Sequence, residues 1–126
     1  MSQHPFEAFR EKRKQANERV LETEHLGIKR FFGIDSACYR DGALSGKTKE
    51  LLGLVASMVL RCNDCIDYHL EQYVQAGYSN AELEDAMNVA LVVGGSIVIP
   101  HMRHARMSLD FLLAERDGGT HVESEA

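Results

Sequence analysis

From Glu50 to Leu113 the apolar residues recur every three or four positions, and the breaks between the runs fall on Gly, Ser and Asn. That period is the stripe of an amphipathic helix; the alternation of a strand is missing, as are internal repeats and low-complexity tracts. The two prolines, Pro5 and Pro100, stand near expected helix starts, where the first turn tolerates them. The chain therefore reads as all-α, with about five to six helices.

Punctuation sets the expected bounds. Phe6 to about His25 forms a first helix whose apolar positions Phe6, Phe9, Val20 and Leu21 are sparse, so it is peripheral or packs on another subunit. A second runs from Leu26 to about Ala43, open to interruption at Gly33 and stopped by Asp41-Gly42. Ser45 or Thr48 caps a third, with Leu51, Leu52, Val55, Met58 and Val59 on its buried side. Asn63 and Asp64 are common cap residues, so a fourth starts near the cysteines and carries Cys65, Ile66, His69, Leu70 and Tyr73 on one stripe. Ser79 or Asn80 caps a fifth over Glu82 to Val93, which Gly94-Gly95 breaks. Ser96 caps the last, from Ile97 to Arg116, with Ile99, Met102, Leu109, Leu112 and Leu113 facing inward. In domain terms this is a peripheral helix over 1–25, a helical core over 26–116 and a flexible polar tail over 117–126.

A length of 126 residues suits one small core, and a net charge of -5 argues against nucleic acid as the partner. The basic run Lys12-Arg13-Lys14 is balanced by Glu7, Glu11 and Glu18. Val89 to Pro100, the longest apolar stretch, is too short and too interrupted for a membrane span. The N-terminus has no apolar signal region, so a cytoplasmic location is expected.

Three cysteines, an odd number, speak against a structural disulfide framework. Cys62 and Cys65 form a CxxC, the spacing of redox or metal chemistry, while Cys38 is expected to be a buried packing residue. Cys62, Cys65 and His69 fall at i, i+3 and i+7, on one face of a helix and in its first two turns. Helix N-termini favour the thiolate, and an imidazole one turn beyond Cys65 can take or return its proton. Glu50, Asp64 and Asp67 are the carboxylates available to orient that ring. Zinc is the competing occupant, with Cys62, Cys65 and His69 as ligands and Glu50 or water as the fourth, although Cys38 offers no second ligand pair. Haem attachment fails because Ile66 follows Cys65. His101 and His104 read as a solvated helix face in preference to a subunit contact or a substrate approach.

Glu50, eleven intervening residues, then Cys62-x-x-Cys65-x-x-x-His69 resembles the E-x11-C-x2-C-x3-H signature of AhpD-like alkylhydroperoxidases, in the carboxymuconolactone decarboxylase superfamily. Asp41 to Leu52, Gly77 to Leu83 and Gly94-Gly95 are similar to the family's flanking elements, so the resemblance spans about residues 26 to 113. It implies an AhpD-like helical fold assembled as a homotrimer or homohexamer. It also implies a redox-active disulfide between Cys62 and Cys65 and a proton relay through His69 and Glu50. The decarboxylase branch lacks this cysteine pair, so lactone decarboxylation is not expected. Asp64 stands where the best-characterised members carry His, an auxiliary position at which an anion disfavours the thiolate. The expected activity is a thiol-dependent peroxidase with no separate cofactor or metal: Cys65 attacks a hydroperoxide, Cys62 resolves, and a thioredoxin-like or lipoyl dithiol re-reduces the bridge. A dithiol–disulfide oxidoreductase or redox sensor without efficient peroxidase activity is the alternative, ahead of a zinc-binding module.

Overall fold

The computed structural model describes residues 4–118, and the expected tail from residue 119 onward lies outside the described residues. Six helices follow in order: α1 (Pro5–Leu21), α2 (Leu26–Cys38), α3 (Gly46–Val59), α4 (Asn63–Gln75), α5 (Asn80–Gly94) and α6 (Ile99–Gly118). A 3-10 turn, Ser96–Val98, leads into α6. No strand occurs among the described residues, in keeping with the all-α expectation. The chain gathers into two compact units, one up to Gly46 and one from Lys47.

In the first unit, His4 caps α1: its Nδ1 accepts the Phe6 N–H at 3.0 Å, and the Glu7 carboxylate accepts the His4 N–H at 3.3 Å. Phe6 is buried, edge-on to Phe9 at 5.5 Å, with the Arg10 guanidinium 5.1 Å from its ring centre. His25 caps α2 in the same way, through Gly27 N–H at 3.1 Å. This second helix passes through Gly33 without a break and stops at Cys38, five residues before the expected Ala43. Beyond it the chain turns, Gly42 N–H bonding Leu44 C=O at 2.9 Å and Asp41 accepting Gly46 N–H at 2.7 Å. No α2 residue is buried; Phe31 and Ile34 are 66% and 67% exposed. Cys38 is therefore exposed, not a packing residue, because the whole helix it ends lacks cover.

The second unit holds the main core. Leu54 and Met58 of α3, Ile66, Leu70 and Tyr73 of α4, Leu83 and Ala90 of α5, Val98, and Ala105 and Leu109 of α6 are fully withdrawn from water. Each large side chain buried in this way contributes about 1.5–3 kcal/mol. The buried side of α3 is Leu54, Ser57 and Met58; of the expected set only Met58 is buried, and Leu52 is exposed. Leu51, Leu52, Val55, Val59, Ala86 and Val89 instead help line an open apolar groove of about 630 Å³ between α3 and α5.

Ser79 caps α5 in a capping box with Glu82, at 3.1 and 2.8 Å. Gly94 ends α5, and Gly95, at φ +83, starts the 3-10 turn with no side-chain cap, so Ser96 does not cap α6. Pro100 sits in the first turn of α6, whose inner face is Ala105, Ser108, Leu109, Phe111 and Leu112, leaving Ile99 exposed. A Cβ at Gly94 would lie 2.5 Å from Cγ2 of Val98, which is fully buried and cannot retreat. Gly94→Ala is accordingly expected to destabilise the fold by about 1–3 kcal/mol, read as a lowered Tm in thermal unfolding followed by circular dichroism.

Candidate functional site

The site is built where α3 hands over to α4. The Cys62 N–H bonds Ser57 C=O and the Arg61 N–H bonds Met58 C=O, both at 3.1 Å, the paired bonds that close a helix around a left-handed residue. The same closure ends α4, with Gly77 at φ +90 in the left-handed place. At the α3 end that place holds Arg61, at φ 62, where a residue with a Cβ costs about 1–2 kcal/mol. The chain emerges from Arg61 extended at Cys62, which is itself the N-cap of α4. Its Sγ accepts the Cys65 N–H at 3.3 Å, taking the role expected of Asn63 or Asp64. Cys62 is half-buried and Cys65 exposed.

One turn beyond Cys65, His69 is buried on α4 and faces Glu50 of α3: Nδ1 and Oε1 are 2.9 Å apart, with side-chain exposures of 11% and 13%. An ionised carboxylate there accepts from Nδ1–H and so fixes the orientation of the ring. Glu50 lies near the start of α3, which is anchored from outside the helix. Tyr78 donates its phenol proton to Lys47 C=O at 3.0 Å, and the Lys47 ammonium lies 4.6 Å from the Tyr78 ring centre. Tyr78 in turn stacks on Tyr73 at 4.7 Å, and Tyr73 donates to Ser79 C=O at 2.5 Å. Burial above all, then Glu82 and Tyr78, holds the Tyr73 phenol above its ordinary range. The ring of Tyr68 packs edge-on against His69 at 5.2 Å.

Of the three carboxylates weighed for orienting His69, Glu50 bonds it, and Asp67 faces the other way. Asp67 is 5% exposed and accepts from His104 Nε2 at 2.9 Å and from Ser108 Oγ at 2.7 Å, both on α6. Asn63 accepts from His101 Nδ1 at 2.8 Å. The two histidines read from sequence as a solvated face thus bind α4, a pairing across 37 and 38 residues that leaves no local signature. Asp64 lies in the first turn of α4, exposed beside the cysteines. Among the described residues no group of three or more His, Cys, Asp or Glu is arranged to hold a metal ion.

The Cys65 thiol is pushed up to about 11. Partial desolvation of its sulfur is the largest cause, followed by its hydrogen bond to the Cys62 side chain, the charge of Cys62 and that of Asp64. At neutral pH Cys65 is therefore held as the thiol.

Residues 28–106 match the carboxymuconolactone decarboxylase family over more than half of the chain. The chain belongs to that family. A carboxymuconolactone decarboxylase family protein from Thermotoga maritima, for which a part in the antioxidative response has been suggested, is 52% identical in sequence. It superposes with a TM-score of 0.85, covering 93% of this chain and 99% of that one. A family member from Legionella pneumophila, at 21% identity and a TM-score of 0.78 over 85% and 96% of the two chains, shares the fold. An uncharacterized protein of the cox locus of Paracoccus denitrificans is 28% identical over 80 residues, 64% of this chain and 72% of its own length.

Two side chains that act on Cys65 can be changed separately. Asp64→Asn takes away a negative charge that opposes the thiolate, and Cys62→Ala takes away both a hydrogen bond and a charge. Both substitutions should lower the apparent pKa of Cys65 below 11, Cys62→Ala by more, measured as the pH dependence of iodoacetamide alkylation at Cys65 resolved by peptide mass spectrometry.

Proposed function

We propose that this protein is a thiol-dependent peroxidase that reduces hydroperoxides through a Cys62–Cys65 dithiol/disulfide cycle. The observation that carries the reading is the short, largely buried Glu50–His69 hydrogen bond one helical turn from a cysteine that needs a base. The antioxidative role suggested for the Thermotoga maritima relative supports it.

His69 Nε2 takes the Cys65 proton, and Glu50 stabilises the imidazolium through Nδ1–H. The Cys65 sulfur attacks the peroxide oxygen, the O–O bond breaks, and the departing alkoxide takes the proton back from His69, giving an alcohol and a Cys65 sulfenic acid. The Cys62 sulfur then displaces the sulfenic oxygen, which leaves as water with the Cys62 proton, and the disulfide closes. One hydroperoxide and two thiols become an alcohol, water and a disulfide. A thioredoxin-like or lipoyl dithiol restores the pair by exchange, for which the exposure of Cys65 gives an entry. The reducing cytoplasm suits such a cycle. We extend the proposal to a homotrimer or homohexamer, because α2 and the apolar groove of α3 and α5 leave large apolar side chains in water. No helix among the described residues is long and apolar enough to cross a membrane.

A second reading, a dithiol–disulfide oxidoreductase or redox sensor with poor peroxide turnover, is favoured by the high Cys65 thiol and the negative charge of Asp64 beside it. A coupled assay with excess dithiol separates the two: sustained turnover of hydroperoxide supports the peroxidase, and stoichiometric oxidation without turnover supports the sensor. In the peroxidase, Glu50→Gln and His69→Gln should each lower hydroperoxide turnover more than tenfold, as general acid–base catalysis contributes roughly 10²–10⁴, with the helical circular dichroism unchanged. Unaltered rates would remove both residues from proton transfer. Trapping the sulfenic acid with dimedone should succeed in Cys62→Ser and fail in Cys65→Ser; the opposite pattern reverses the order of attack.

A further inference from the structure

The contacts of α6 with α4 bracket the redox turn. Asn63 follows Cys62 directly and is held by His101; Asp67 lies between Cys65 and His69 in sequence and is held by His104 and Ser108. Asn63 and Asp67 are four residues apart, on one stripe of α4. Two residues along a helix rotate by about 200°, so this stripe lies nearly opposite the one that carries Cys65 and His69. The two bonds therefore do not touch the reacting sulfurs. They fix the helix that carries them, at its first residue and again one turn later.

The need for such a hold follows from the cap. In the dithiol, α4 is capped by the Cys62 sulfur, which accepts the Cys65 N–H. When that sulfur bonds to Cys65 at about 2.05 Å, it can no longer act as a thiolate and becomes a weaker, geometrically constrained acceptor, so the side-chain cap on the first turn of α4 weakens. Oxidation thus weakens the helix end at which the disulfide sits. The tethers from α6 involve neither sulfur.

We propose that His101 and His104 are positioning residues that hold the first two turns of α4 when the Cys62–Cys65 disulfide closes, and so set how readily it forms. This rests on the dithiol/disulfide cycle proposed above, but not on the peroxide being its oxidant.

The test is an equilibrium. The full chain carrying Cys38→Ser is brought to balance with reduced and oxidised glutathione, so that two thiol hydrogens pass to oxidised glutathione and two reduced glutathiones are released. Alkylation of the remaining thiols and mass analysis give the dithiol and disulfide fractions. His101→Ala and His104→Ala should each move the balance toward the dithiol by about three- to tenfold, tenfold being about 30 mV for this two-electron couple. The Tm of each variant should fall more in the oxidised form than in the reduced form. His104→Gln, whose amide can still donate to Asp67, should keep the balance near that of the parent. His101→Ala and Asn63→Ala alter half-buried and exposed surface positions and serve if His104→Ala does not fold. Equal Tm losses in both forms, with the balance moved less than twofold, would reduce the tethers to ordinary packing and overturn the proposal. A parent chain that closes no Cys62–Cys65 bridge at any glutathione ratio would overturn the redox cycle itself, and this proposal with it.

Discussion

The joint between α3 and α4 is the constraint on which the site depends. One residue, Cys62, closes the first helix with its backbone N–H and opens the second with its side chain. No linker separates the two helices beyond the closing turn, so Glu50 on one and His69 on the other are held at a fixed approach. The 2.9 Å bond between them is a consequence of that short connection. Arg61 bears the cost of the joint: it adopts a backbone conformation that the equivalent turn after α4 gives to Gly77. A left-handed arginine next to the cysteine pair is local strain, offset by the packing of Leu54, Met58, Ile66 and Leu70 on either side.

Around that joint, α4 is gripped from two sides by different chemistry. Toward α3 it presents an imidazole to a carboxylate, and toward α6 it presents a carboxylate and an amide to two imidazoles. The apolar stripe of Ile66, Leu70 and Tyr73 runs between and supplies most of the stabilisation. Asp67 is the expensive member, a carboxylate withdrawn from water, and the two donors from α6 are what make its burial tolerable.

Much of this was legible in the sequence for a simple reason: it is local. Helix number follows from a period of three to four, the α5 cap from Ser79 with Glu82 three residues later, and the placing of Cys65 and His69 one turn apart from a single helix. Position made Glu50 one of three candidate carboxylates, and the spacing that it shares with a family singled it out. What escaped was tertiary or chemically unusual. Cysteine is not an ordinary cap residue, so Asn63 and Asp64 took its place in the expectation. The partnership of Asp67 with His104 depends on how two distant helices rotate against each other. The inward face of α3 was misread because Leu51, Leu52 and Val55 are apolar for a groove, and the true core side includes Ser57, whose hydroxyl returns to Gly53 C=O at 2.7 Å. Cys38 was placed inside on composition, when α2 as a whole has no buried residue.

The Tyr73–Tyr78 stack has a bearing on what alkali can do to this protein. An unfolded tyrosine ionises near pH 10, whereas the fold holds Tyr73 protonated well above that. The native contribution of Tyr73 is thus complete below about pH 10 and drains away as the pH rises further. Cys65, with its thiol at about 11, would begin to ionise by bulk alkali in the same range. Hydroxide that frees the sulfur therefore also draws down the stability that the buried Tyr73 phenol lends the fold, a cost that a proton acceptor carried inside the fold does not incur.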